Sequence, residues 1–134
     1  MKIDHIGIAC SDIEQAKQQY IDLGYIVTKE LITDHGRNLD YIFMKNDSVT
    51  IELIAKHDIN IKSDIDNIIS NERLIGNKMY HICYASSNLN SDIDKYVKLG
   101  YKLIKAPSLA IACDNKTVAF LVHIDHGIIE LIEE

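Results

Sequence analysis

The chain is poor in the residues that break or staple structure. Its 134 residues include one proline, six glycines, three cysteines and no tryptophan. So little proline and glycine excludes a collagen-like or low-complexity chain. The cysteines Cys10, Cys83 and Cys113 are odd in number and stand at no metal-binding spacing, which argues against a disulfide framework and for reduced thiols. No apolar run approaches the roughly eighteen residues of a membrane span, and the N-terminus enters a strand pattern directly, without a charged segment and an apolar targeting core. Basic residues are also scarce: 14 Lys and Arg face 20 Asp and Glu, for a net charge of −6, and no basic cluster offsets that balance. Nucleic acid is therefore not an expected partner, because binding to phosphates rests on such clusters. What remains is a soluble, cytoplasmic chain, 47% hydrophobic, with material for one compact domain over 1–134.

What is present is a repeat. A shift of 76 places lays Tyr80-His81-Ile82-Cys83-Tyr84-Ala85 over Asp4-His5-Ile6-Gly7-Ile8-Ala9 without a gap. The pairs His5/His81, Ile6/Ile82, Ala9/Ala85, Ser11/Ser87, Tyr20/Tyr96, Leu23/Leu99, Gly24/Gly100, Tyr25/Tyr101 and Lys29/Lys105 are identical. Unrelated segments of that length would give about two such matches, so the chain is a duplicated unit.

In the first copy, residues 1–57, a strand over 3–9 precedes a helix capped by Ser11 or Asp12, with Ile13, Ala16, Tyr20 and Leu23 as its buried face and Gly24 as its stop. Strands are expected over 25–32, 40–45 and 49–55, with turns at 33–36 and 46–48. The copy therefore reads β-α-β-β-β. Residues 58–78 have no counterpart and form a linker in which Ser63 caps a short helix carrying Ile65, Ile68 and Ile69 inward. The second copy, 79–134, repeats the order, with a strand over 79–85 and a helix from about Asn90 bearing Ile93, Tyr96, Val97 and Leu99. Strands near 101–105, 117–123 and 127–133 follow, with Pro107 in a loop. The fold class is α+β.

Side chains alternate across a strand. On the first strand this sets His5, Gly7 and Ala9 on one face, and Ile6 and Ile8 on the face toward the helices. On the last strand of each copy, Ile51 and Leu53, then Ile129 and Leu131, take the helix side. Glu52 and Glu130 are left on the face of His5 and His81. Carboxylates and imidazoles gathered on an enclosed apolar face are costly unless paired, and a divalent metal resolves that cost. A single strand histidine is usually a hydrogen-bonded core or rim residue, but here each copy supplies the same His and Glu pair. His35, His57, His123 and His126 lack that repetition and read as surface or loop residues.

These segments resemble the vicinal oxygen chelate superfamily, which is built from paired β-α-β-β-β modules that curl into an eight-stranded cup around a metal. His81-Ile82-Cys83, Gly100-Tyr101-Lys102-Leu103-Ile104, Val118-Ala119-Phe120-Leu121 and Glu130-Leu131-Ile132-Glu133 look most like methylmalonyl-CoA epimerases, as do Ile3 to Ala9 and Ile51-Glu52-Leu53. By position, the resemblance implies His5, Glu52, His81 and Glu130 as metal ligands, although epimerases often have glutamine at the place of Glu52. Bacterial glyoxalase I carries an arginine shortly after its first histidine, where this chain has Gly7-Ile8-Ala9, so glutathione is disfavoured. The second acid of the epimerases falls in a region that reads Asp34-His35-Gly36.

Four such ligands leave about two octahedral positions, a geometry suited to cobalt, nickel, manganese or zinc. The expected activity is isomerase or epimerase proton transfer beside the carbonyl of an acyl thioester such as an acyl-CoA, with Glu130 as the base and Asp34 as the second acid. A glyoxalase I-like lactoylglutathione lyase acting on a thiol adduct is the nearest alternative, and a bleomycin-resistance-type binding protein without catalysis the next. Open strand edges imply a homodimer.

Overall fold

The computed structural model describes residues 1–70 and 76–134. Two β-α-β-β-β runs follow one another, as the duplication requires. The first comprises β1 (Ile3–Ala9), α1 (Ile13–Asp22), β2 (Ile26–Asp34), β3 (Leu39–Asn46) and β4 (Val49–Lys56). After a short α2 (Asp66–Ile69), the second comprises β5 (Lys78–Ser86), α3 (Leu89–Lys98), β6 (Lys102–Ala110), β7 (Lys116–His123) and β8 (Gly127–Glu133), with a 3-10 turn at Ile111–Cys113. The eight strands hydrogen-bond in the order β2-β3-β4-β1-β5-β8-β7-β6. No helix among the described residues is long and apolar enough to cross a membrane. The chain forms two compact units, Ile6–Tyr80 and Met1–His5 with His81–Glu134.

In the unit Ile6–Tyr80, β1 runs parallel to β4 with Ile6 opposite Ile51 and Gly7 opposite Glu52, and β3 lies antiparallel to both β4 and β2. Asp12 is the cap of α1, its Oδ1 accepting from the Gln15 N–H at 3.1 Å. That bond satisfies one of the helix's orphan amides and sets the phase that turns Ile13 and Ala16 inward. They pack with Cys10, Ile42, Met44, Ile51, Leu53 and Ala55, while Ile8 and Tyr20 border the cluster. Leu23 does not join them: it is the C-cap residue and 71% exposed, because the helix ends there and Gly24, at φ +96°, swings the chain away. Strand β2 also outruns the sequence expectation by including Thr33 and Asp34, so the turn falls on 35–38 and uses a left-handed Asn38.

Asn38 is buried and gathers the start of the linker. Its amide donates to the Asp58 and Ile61 carbonyls, each at 2.9 Å, and its Oδ1 accepts from the Asp58 N–H at 2.9 Å. The Ser63 hydroxyl donates to the Asp66 carboxylate at 2.9 Å instead of capping α2, whose N-cap position is Ile65. Ile65 is fully buried, whereas Ile68 and Ile69 are half-buried. Part of the expected linker, residues 71–75, lies outside the described residues.

In the other unit, β5 runs parallel to β8 with Cys83 opposite Glu130, and β7 lies antiparallel to β8 and β6. Asn88, the counterpart of Asp12, caps α3 by accepting from the Ser91 N–H at 3.1 Å, so the helix begins a residue before Asn90. Leu89 and Ile93 pack on Ala119, Leu121, Ile129 and Leu131, with Tyr96 at their border. Val97 and Leu99, expected on the same stripe, are 47% and 60% exposed. The reason is the one that governs Leu23, a helix end followed by a glycine at φ +96°. Pro107 corrects a second expectation: it lies within β6, not in a loop. The strand ends the hydrogen-bonding order, and its register slips between Lys105 and Ser108, where a residue without an N–H leaves no ladder bond unmade.

The contrast between these leucines is measurable. Leu53→Ala, which empties a fully buried site, should lower unfolding free energy by about 2–5 kcal/mol. Leu23→Ala should change it by less than about 0.5 kcal/mol. Urea titration distinguishes the two, and comparable losses would contradict the placement of Leu23 outside the core.

Candidate metal centre

Three of the nominated side chains meet inside the unit formed by Met1–His5 and His81–Glu134. The N-terminal strand is tied to β5 there by a bond from the Ala85 N–H to the Lys2 carbonyl at 2.9 Å. Strand alternation brings His81 onto the face of Cys83, and Cys83 stands opposite Glu130 on β8. Phe120, opposite Glu130 on β7, sets its ring edge-on to His81, with centroids 5.5 Å apart. Ile129 and Leu131 point the other way into the helix-packed core, so Glu130 is pinned on the histidine face by both of its neighbours.

The geometry at the centre is tight. His5 Nε2 lies 3.3 Å from His81 Nε2 and 3.2 Å from Glu130 Oε2, and His81 Nε2 lies 2.9 Å from the same oxygen. His5, His81 and Glu130 are all but fully buried. Despite those distances, Glu130 Oε2 meets hydrogen-bond geometry with no group among the described residues. Two imidazole nitrogens and a carboxylate oxygen, with donor atoms within 4.8 Å of one another, converge on a common point; the nitrogens bond to each other, and the carboxylate oxygen receives no well-directed hydrogen bond from either. That is the donor set of a borderline divalent cation, and it fits one.

The electrostatics agree. Burial disfavours the charged form of Glu130, but the charge of His81, and the close approach and charge of His5, outweigh it and hold the group well below the usual carboxylate range. On the outer edge of His5, Nδ1 lies 2.8 Å from Asp4 Oδ2, a contact that lowers the Asp4 pKa against the opposing effect of burial. Cys83 can approach within 4.8 Å of Asp4 and His5, but burial raises its thiol far above the ordinary value and keeps it protonated.

The remaining nominated residues lie in the unit Ile6–Tyr80. Glu52 is buried on β4, between Gly7 of β1 and Phe43 of β3, as Glu130 is between Cys83 and Phe120. Its neighbours Ile51 and Leu53 are in the helix-packed core. Asp34 is buried at the end of β2, where Oδ1 accepts from the Arg37 N–H at 3.0 Å and Oδ2 stands 3.5 Å from Arg37 Nε, so the carboxylate holds the following turn. Of the histidines read as surface or loop residues, His57 contacts Asp40 at 3.1 Å and His35 at a centroid separation of 5.0 Å. His123 and His126 border Tyr101 at 4.9 and 6.2 Å. Strand alternation assigns Asp4 to the face opposite His5 and so passes over it; the visible signal was a carboxylate directly before the histidine.

The profile of the Glyoxalase/Bleomycin resistance protein/Dioxygenase superfamily matches residues 4–120. A hypothetical protein from Bacillus halodurans C-125 is similar in structure at 22% identity, with a TM-score of 0.83 over 99% of this chain and 94% of that one. Methylmalonyl-CoA epimerase from Mycobacterium tuberculosis is similar at 22% identity, with a TM-score of 0.78 over 98% and 86% of the two chains. A variant methylmalonyl-CoA epimerase from Streptomyces coelicolor, in complex with 2-nitronate-propionyl-CoA, is similar at 18% identity, with a TM-score of 0.80 over 100% and 97%. No curated protein matches the sequence. The likenesses show the fold, paired β-α-β-β-β modules, and the profile extends over most of the chain. The chain belongs to the Glyoxalase/Bleomycin resistance protein/Dioxygenase superfamily.

Proposed function

We propose that the chain is a metal-dependent enzyme that moves a proton beside the carbonyl of an acyl thioester, in the manner of an epimerase, acting as a cytoplasmic homodimer. The observation that carries this reading is the convergence of His5, His81 and Glu130 on one point. The duplication supports Glu52 as a fourth ligand, since it holds in the first module the register position that Glu130 holds in the second. A bound cobalt, nickel, manganese or zinc ion would supply Lewis-acid polarisation of two substrate oxygens. Glu130, kept ionised, removes the proton from the adjacent carbon, and Asp34 serves the opposite face of that carbon. The substrate class is supported by similar structures of epimerases in complex with 2-nitronate-propionyl-CoA and with methylmalonyl-CoA.

The purified protein should hold about one divalent ion per subunit, and His81→Ala or Glu130→Ala should lose most of it. Metal analysis of chelator-free preparations reads this directly, and full retention in both variants would sink the site. Methylmalonyl-CoA in deuterated water should acquire deuterium at the α-carbon and interconvert its epimers, and Glu130→Gln should stop both. Turnover of a methylglyoxal–thiol adduct in place of exchange would make the protein a lyase; ligand binding with neither activity would make it a binding module.

Acid should act through Glu130. Its folded pKa is depressed, so its contribution to stability is present above the ordinary value of 4.5 and is lost as pH falls through the lower folded value. The metal-free protein should therefore lose stability on acidification below about pH 4.5, with a shallower slope in Glu130→Gln. An unchanged slope, read by urea midpoints between pH 3 and 6, would contradict the ionised assignment.

A further inference from the structure

We infer that Asp4 is a positioning residue that fixes His5 as the Nδ1–H tautomer, so that Nε2 carries the lone pair directed into the site. The inference rests on the metal reading for its consequence, though the tautomer is a property of the metal-free protein. Asp4 Oδ2 is 2.8 Å from His5 Nδ1, and the His5 side chain has no solvent exposure. An ionised carboxylate only accepts, so the proton on this edge of the ring belongs to Nδ1. A neutral imidazole has one such proton, which leaves Nε2 as acceptor or ligand. That nitrogen is 3.3 Å from His81 Nε2 and 3.2 Å from Glu130 Oε2, also an acceptor, but the Glu130 contact falls outside hydrogen-bond geometry whereas the shorter one to Asp4 meets it, so the proton goes to Nδ1.

The duplication makes the arrangement informative, because it breaks here. The residue before His81 is Tyr80, not a carboxylate. His81 is oriented by the edge of Phe120, a contact that selects no tautomer. The two histidines are thus unequal on their outer edges: His5 has a carboxylate against Nδ1, and His81 has a phenyl ring against its own ring. Removing an outer carboxylate of this kind commonly lowers metal affinity by about 10–100-fold.

The test begins with the metal-free protein. Long-range proton–nitrogen correlation spectra of 15N-histidine-labelled protein, at a pH where His5 is neutral, should show His5 as the Nδ1–H form. Asp4→Ala should shift it toward the Nε2–H form, and Asp4→Asn, whose amide oxygen still accepts, should retain Nδ1–H. Cobalt titration should give an affinity about 10–100-fold weaker for Asp4→Ala, with partial recovery in Asp4→Asn. An Nε2–H signal in the wild type, or an unchanged tautomer and affinity in Asp4→Ala, would overturn the inference. If the wild type binds no cobalt, the proposed function fails while the spectra still decide the role of Asp4.

Discussion

A carboxylate withdrawn from water beside two imidazoles is the constraint to which the second unit answers. Taken alone, Glu130 at this depth is strongly disfavoured as an anion, since burial removes its hydration. Two imidazoles aimed at one of its oxygens compensate. This requires three strands to hold registers that cannot slip: one residue of slippage on β8 would send Glu130 into the helix-packed core and bring Ile129 or Leu131 to the centre. The hydrophobic cluster under α3 therefore does two things at once. It buries the isoleucine and leucine that flank Glu130, and by doing so it prevents that slip.

The two modules solve the same folding problem with the same parts and then diverge where chemistry enters. Asp12 and Asn88 cap equivalent helices, Gly24 and Gly100 end them with the same dihedral angle, and Phe43 and Phe120 stand opposite equivalent glutamates. Beyond that shared frame, Cys10 directs its thiol to the Ile54 carbonyl at 3.3 Å, whereas its counterpart Ser86 donates to Asp92 at 2.6 Å. Burial pushes the Cys10 thiol up to about 12. It is a packing group in one module where the other uses a polar bond.

Most of the frame was legible because periodicity reports burial. Alternation along β1, β4, β5 and β8 assigns the helix-packed isoleucines and leucines, and by remainder the histidine and glutamate face. The errors have separate local causes. Leu23, Val97 and Leu99 continue the helical spacing, but periodicity is blind to where a helix stops presenting its face to the core. Pro107 was misread because an edge strand at a register slip tolerates what a central strand does not. Asp4 was missed because alternation describes where a side chain departs from the backbone, not where a rotatable carboxylate ends. Asp34, expected in the turn, is the last residue of β2 and bonds to Arg37.

The boundary between the compact units falls between His5 and Ile6, within a single strand. Five residues at the start of the chain thus belong to a unit whose remainder is its last 54 residues. On a ribosome, His5 is made before the whole of the unit Ile6–Tyr80, and His81 and Glu130 after it, so the histidine waits for that intervening stretch before its neighbours exist. The unit Ile6–Tyr80 is contiguous and can consolidate during synthesis, whereas the one containing the candidate centre closes only after β8 has been made. A product that stops short of β8, however well the unit Ile6–Tyr80 folds, therefore lacks the cluster of His5, His81 and Glu130.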